Sequence, residues 1–153
     1  MKQSAGILLY RKKKTRLEVM LVHPGGPFWK NKDAGAWSVP KGEFTDDENA
    51  LEAAKREFKE ETGFICAGKF VALSPVKLKS GKTIYAWALK MDMATEKIKS
   101  NDFEMEWPPK SGKMQRFPEV DKAQWFSVEE AKNKINAAQA ALLDELITVL
   151  EKS

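Results

Sequence analysis

The chain has 153 residues, 42% apolar and 31% charged, with 26 Lys and Arg against 22 Asp and Glu, one cysteine and one histidine. That length suits one domain over residues 1–153 that folds without staples, and the lone cysteine and histidine exclude a disulfide framework and any zinc site built from several Cys or His ligands. The net charge of +4 tolerates anionic partners without selecting one, and no early apolar run is long enough for a signal or membrane segment, so a cytoplasmic protein without membrane contact is expected.

Residues 4–10 are apolar and β-prone, and residues 17–23 repeat that character after the basic run Lys12-Lys13-Lys14 with Arg16. The two read as paired strands, and the basic run as the solvated turn between them. It lacks the interleaved aromatics of a nucleic-acid patch. Pro24-Gly25-Gly26-Pro27 signals a turn, followed by a loop with Phe28 and Trp29 and a short strand-like piece at 37–40. Residues 48–62 carry a helical pattern, with Asp46 or Asp47 as the expected N-cap and Gly63 as the terminating glycine. Strands are expected at 69–77 and 83–91; in the second, Tyr85, Trp87, Leu89 and Met91 should face the packed side. Residues 92–122 are polar and turn-rich, which reads as a long functional or mobile connection, with Trp107 a candidate lid residue. A short strand at 124–126 precedes a capping box, Ser127 to Glu130, that starts a helix. A last helix at 137–150 places Leu142, Leu143, Leu146, Ile147 and Leu150 on one stripe that should dock on the sheet. The fold class is α/β.

The acidic residues of the 48–62 helix carry the chemistry. At about 100° per residue, Glu57, Glu60 and Glu61 fall within roughly a 100° arc. Like charges so spaced repel, and a hard divalent cation such as Mg²⁺ or Mn²⁺ neutralises an all-oxygen set of this kind. A solvated helix face stitched by charge pairs is the competing reading, because Glu52, Arg56 and Glu60 stand at successive i,i+4 steps.

The wider spacing favours the metal. Gly42, five residues, Glu48, seven residues, then Arg56-Glu57-Phe58-Lys59-Glu60-Glu61-Thr62-Gly63-Phe64 resembles the Nudix box in every fixed position. Seven strict identities at roughly one in ten each make a chance match about a 10⁻⁷ event per frame. The resemblance implies the Nudix fold, a mixed β-sheet sandwiched between helices with the box as loop–helix–loop. It implies Mg²⁺ (or Mn²⁺) held by Glu57, Glu60 and Glu61, with a backbone carbonyl of Gly42 or Lys41. Arg56 would orient the carboxylates, Glu48 would hold loop to helix, and Phe58 and Phe64 would anchor the helix in the core. Such a site suits diphosphate hydrolysis, in which metal-held oxygens are neutralised and a carboxylate, Glu57 first, takes the proton of the attacking water. Relatives often add a carboxylate from outside the box. Glu104, Glu106 and Glu119 are the candidates, and Glu119 lies where dinucleoside polyphosphate hydrolases carry a metal-side glutamate.

The Pro40-Lys41-Gly42 approach resembles diadenosine tetraphosphate hydrolases and RNA-decapping relatives, while the run 37–43 also resembles bacterial nucleoside-triphosphate pyrophosphohydrolases. The expected substrate is a nucleoside polyphosphate, foremost a dinucleoside polyphosphate. The alternatives are clearance of damaged nucleoside triphosphates and a non-catalytic nucleotide- or RNA-binding module, with capped RNA as the one nucleic-acid partner in view. Lys41 is a candidate phosphate contact, and Tyr85 and Trp29, with Trp87 and Phe28, are candidate base platforms beside their ordinary use in cores. His23 and Cys66 read as structural. A monomer or a homodimer is expected.

Overall fold

The first two apolar runs close into a hairpin. In the computed structural model, which describes residues 2–152, β1 (Gln3–Lys13) and β2 (Arg16–Pro24) pair antiparallel from Tyr10↔Val19 to Lys13↔Arg16. Lys14 takes φ 60° at the turn, and Lys12, Lys13, Lys14 and Arg16 are exposed, as a solvated turn requires.

Strand β1 is the hub of a mixed seven-stranded sheet. One edge runs parallel to β6 (Thr83–Lys90), from Gln3↔Thr83 to Tyr10↔Lys90. Along its other edge β1 changes partners. Residues Gln3 to Gly6 pair antiparallel with β3 (Lys41–Phe44), and Tyr10 to Lys13 pair with β2. Between those stretches the Ile7 N–H donates to the Pro40 carbonyl at 3.2 Å. The outer edge of β2 takes β9 (Val120–Ser127), with a register shift at His23/Pro24. The run expected at 69–77 is divided into β4 (Phe70–Ala72) and β5 (Val76–Lys77), both antiparallel to β6. Pro75, between them, has no N–H to give a ladder.

Helices cover both faces of the sheet. The alternation of β1 sends Ile7 and Leu9 to a cluster with Ala53, Ala54 and Phe58 of α1 (Ala50–Thr62). It sends Leu8 to the opposite cluster, with Ala131 of α2 (Val128–Lys134) and Leu142, Leu143 and Leu146 of α3 (Ala140–Glu151). This bears out the mixed sheet between helices. It also revises the expected facing of β6: Leu89 is fully buried as expected, but Tyr85, Trp87 and Met91 are only partly buried, while Ile84, Ala86 and Ala88 on the other face are at most 1% exposed. A sheet packed on both sides leaves no solvent face for alternation to reveal.

Helix α1 begins later than expected. Its N-cap is Asn49, whose side chain accepts from the Glu52 N–H at 3.1 Å, and neither Asp46 nor Asp47 takes that place. Gly63 ends it as expected, at φ 80° with its N–H on the Lys59 carbonyl. The 37–40 piece makes only isolated bridges, Val22↔Ser38 and Trp37↔Ile135, and the motif opens instead as strand β3. Ser127 caps α2 by accepting from the Glu130 N–H. The last helix starts with a separate 3₁₀ turn at Ala137–Gln139.

Residues 92–122 are ordered. They form a 3₁₀ turn at Thr95–Lys97 and a separate hairpin of β7 (Asp102–Glu106) and β8 (Met114–Pro118), paired from Asp102↔Pro118 to Glu106↔Met114. Among the described residues, no helix is long and apolar enough to cross a membrane.

Candidate active site

Helix α1 carries four motif side chains on the face turned to β3. Arg56 is their organiser. Its Nε and Nη2 grip both oxygens of Glu48 at 3.1 and 3.0 Å, and Nη1 reaches Glu57 Oε2 at 2.6 Å and Glu60 Oε1 at 3.3 Å. One guanidinium fork thereby ties the approach to α1 to the acidic row. Phe58, fully buried, anchors the helix, and Phe64 packs at the edge of the same cluster.

Gly42 is a glycine because Glu57 lies against it. A Cβ at that position would overlap the Glu57 carboxylate and stand 2.7 Å from its Cγ. The backbone N–H of the preceding Lys41 donates to Glu61 Oε1 at 3.2 Å. Burial raises the Glu57 carboxyl to about 7, with the neighbouring Glu60 adding to the rise against the pull of Arg56. Burial raises Glu61 to about 8, and the charges of Glu57 and Glu119 push the same way. Burial likewise lowers Lys41, against the attraction of Glu61. Glu119, at the entrance to β9, is raised by burial and by Glu60. Four carboxylates from α1 and the start of β9 therefore feel one another.

Glu61, at the end of the acidic row, opens on a cavity of about 220 Å³ beside the end of β2 and the start of β3. Lys41, Glu61 and Glu119 line one part of it, and Trp29, Asn136 and Gln139 another. Gln139 was not singled out by sequence reasoning. It is 3% exposed, and its side-chain oxygen accepts from the Val39 N–H at 3.1 Å while its amide donates to Ser38 Oγ. A glutamine in a helical pattern reads as surface, so the only signal was its place at the start of an apolar stripe.

The other candidates are dispersed. Tyr85 packs edge-on against Phe44, with ring centroids 6.1 Å apart, and does not line the cavity. Glu104 pairs with Arg116 across the β7–β8 hairpin, and Glu106 accepts from the Lys110 and Gly112 N–H groups at its tip. Trp107 belongs to that tip and is not part of the cavity wall. His23 and Cys66 are buried, as expected of structural residues.

Among the described residues, no three Asp, Glu, His or Cys side chains converge into a closed metal cage, since Arg56 is drawn in between Glu48, Glu57 and Glu60. The donor chemistry still suits a hard divalent cation. Every donor is oxygen, and Glu57 and Glu61 are carboxyls whose charge burial leaves undercompensated.

Residues 1–146 match the family model of the NUDIX domain. No curated protein sequence matches the chain. Among solved structures, it is similar in fold to the Ap4A hydrolase binary complex of C. elegans, with a TM-score of 0.67 at 20% identity over 100% of both chains. It is also similar to a mutT/nudix family protein of Listeria innocua, with a TM-score of 0.66 at 17% identity over 99% of this chain and 94% of the other. The NUDIX domain of Shewanella oneidensis NrtR complexed with ADP ribose gives 0.64 at 17% identity over 97% and 87%. With the complete motif on a loop, strand and helix that bring its acids together, the chain belongs to the Nudix family and is a hydrolase acting on pyrophosphate bonds.

Proposed function

We propose that this chain, as one domain, is a cytoplasmic Mg²⁺-dependent hydrolase, with Mn²⁺ as a substitute, that cleaves a diphosphate linkage within a dinucleoside polyphosphate such as diadenosine tetraphosphate. Nudix hydrolases need divalent cations. The observation that carries the reading is the continuity of one cavity from Glu61, Glu119 and Lys41 to the Trp29 wall, so that a phosphate chain at the acidic row has room for a nucleoside beyond it. The Pro40-Lys41-Gly42 approach and the likeness of fold to an Ap4A hydrolase support the substrate class.

Glu57, Glu60 and Glu61, a carbonyl of Lys41 or Gly42, and Glu119 would hold the metal. When bound, the metal neutralises the diphosphate oxygens and makes water a nucleophile at neutral pH. Glu57 would take the proton of the attacking water. Arg56 keeps Glu57 and Glu60 in place without leaving Glu48. The Lys41 ammonium pairs with a phosphate oxygen, and Trp29 stacks on the base.

A panel of diadenosine tetraphosphate, a nucleoside triphosphate and ADP-ribose with Mg²⁺, followed by product identification, tests the substrate. Two nucleotides without inorganic pyrophosphate, from the dinucleotide fastest, is the expected result. Monophosphate with inorganic pyrophosphate, from the triphosphate fastest, overturns it.

A further inference from the structure

We infer that His23 is a positioning residue for the cavity: its ring ties the loop that carries Trp29 to the start of β9, beside Glu119. The inference rests on reading this cavity as the substrate site. Trp29 and Ala36 of the loop 25–36 line this cavity, as do Glu119 and Val120. His23, at the end of β2 and 3% exposed, sits between the two.

Nδ1 of His23 lies 2.8 Å from Asp121 Oδ1, one residue beyond Val120, and Nε2 lies 2.6 Å from the Lys32 carbonyl oxygen. Each ring nitrogen is thus within hydrogen-bond distance of an oxygen on a different segment, one on β9 and one on the loop. The ring is held by an edge contact to Trp37, with centroids 5.2 Å apart. The Trp37 indole N–H in turn donates to Asp33 at 2.8 Å, next to Lys32, and Asp33 also pairs with Lys134 of α2. The loop start is tied separately, by the Gly25 N–H on the Glu119 carbonyl at 2.9 Å. The charged groups around the ring are thus Asp121 from β9 and Asp33 from the loop, with Lys134 on Asp33. His23 is the side chain that bonds both walls at once.

Glu57, Glu60 and Glu61 lie on α1 outside the tie, and the backbone of Glu119 keeps its own bonds to Gly25 and Asn101 when the tie is lost, so the loss should weaken substrate binding more than it slows the chemical step. In His23→Gln, KM for the best panel substrate is expected to rise about tenfold with kcat within twofold of wild type. Asp121 is a surface residue, and Asp121→Ala breaks the same tie while leaving the buried ring in place. It should raise KM in the same sense, and the double variant should be no worse than His23→Gln. Unchanged KM in both single variants, or additive effects in the double, overturns the inference. Amide exchange over residues 25–36 needs no substrate. It should quicken in Asp121→Ala, and unchanged exchange also overturns the tie. Quickened exchange in a protein that turns over no dinucleotide would leave the tie standing and remove the substrate reading.

Discussion

Burial holds the Glu57 and Glu61 carboxyls up at about 7 and about 8, against an ordinary 4.5. Between those limits the folded, metal-free protein binds more protons than the unfolded chain, so these two groups make its stability fall as pH rises from about 5 to 8. The melting temperature of metal-free protein should drop across that window, and Glu61→Gln should flatten the drop; an equal slope in the variant would contradict the assignment. Metal must displace the same protons, so the apparent Mg²⁺ affinity, read by calorimetry, should strengthen from pH 6 to 8. At Gly42 the constraint is steric. Gly42→Ala sets a methyl group against the Glu57 carboxylate and should cost about 1–3 kcal/mol in denaturant unfolding, with a fall in kcat/KM. The motif spacing made Gly42, Arg56 and the glutamates legible as residues. It did not disclose why position 42 excludes a side chain, because the close approach joins residues 15 apart. Gln139 was illegible for the same reason, since its partners Ser38 and Val39 are about 100 residues away.

Helix α1 shows how far local pattern reaches. Its existence and its Gly63 terminus follow from periodicity and from the need for a left-handed residue, but three acceptors crowd residues 46–49 and pattern alone does not choose among them. The structure chooses Asn49, whose side chain meets the Glu52 N–H, while Asp46 accepts from Gln3 instead. Asn49→Ala should therefore cost about 1 kcal/mol, and Asp47→Ala less than about 0.5 kcal/mol by chemical denaturation. The β7–β8 hairpin hides in a stretch that sequence alone presents as a long functional or mobile connection, because most of its residues are exposed and few apolar side chains mark the alternation. Phe103↔Phe117 and the Glu104–Arg116 pair hold it, and Glu106 closes its tip. Replacing residues 107–113 with a two-residue turn should leave the melting temperature and KM nearly unchanged. A large rise in KM would show that the tip closes over substrate after all.

The cavity lies beside the end of β2 and the approach to β3, lined by Val22 and Pro24 from the one and Ser38, Val39 and Lys41 from the other. Helices on both faces then hold the sheet in place, with α1 presenting acids to the opening from one side and the segment before α3 presenting Gln139 from the other. Hydrophobic runs announced strands and an α/β domain, but not the order in which they pair or the change of partners along β1. The net charge of +4 hides a local reversal, with Glu61 and Glu119 lining the cavity and the charges of Glu57 and Glu60 acting on them from beside it. A bound divalent cation would turn that region attractive to a polyphosphate. The decisive measurement is Mg²⁺-dependent turnover of diadenosine tetraphosphate by wild type, Glu60→Gln and Glu61→Gln. A fall of about 10²-fold or more in kcat/KM for both folded variants, and no turnover in EDTA, is the expected result; wild-type turnover by both would contradict the carboxylate metal site.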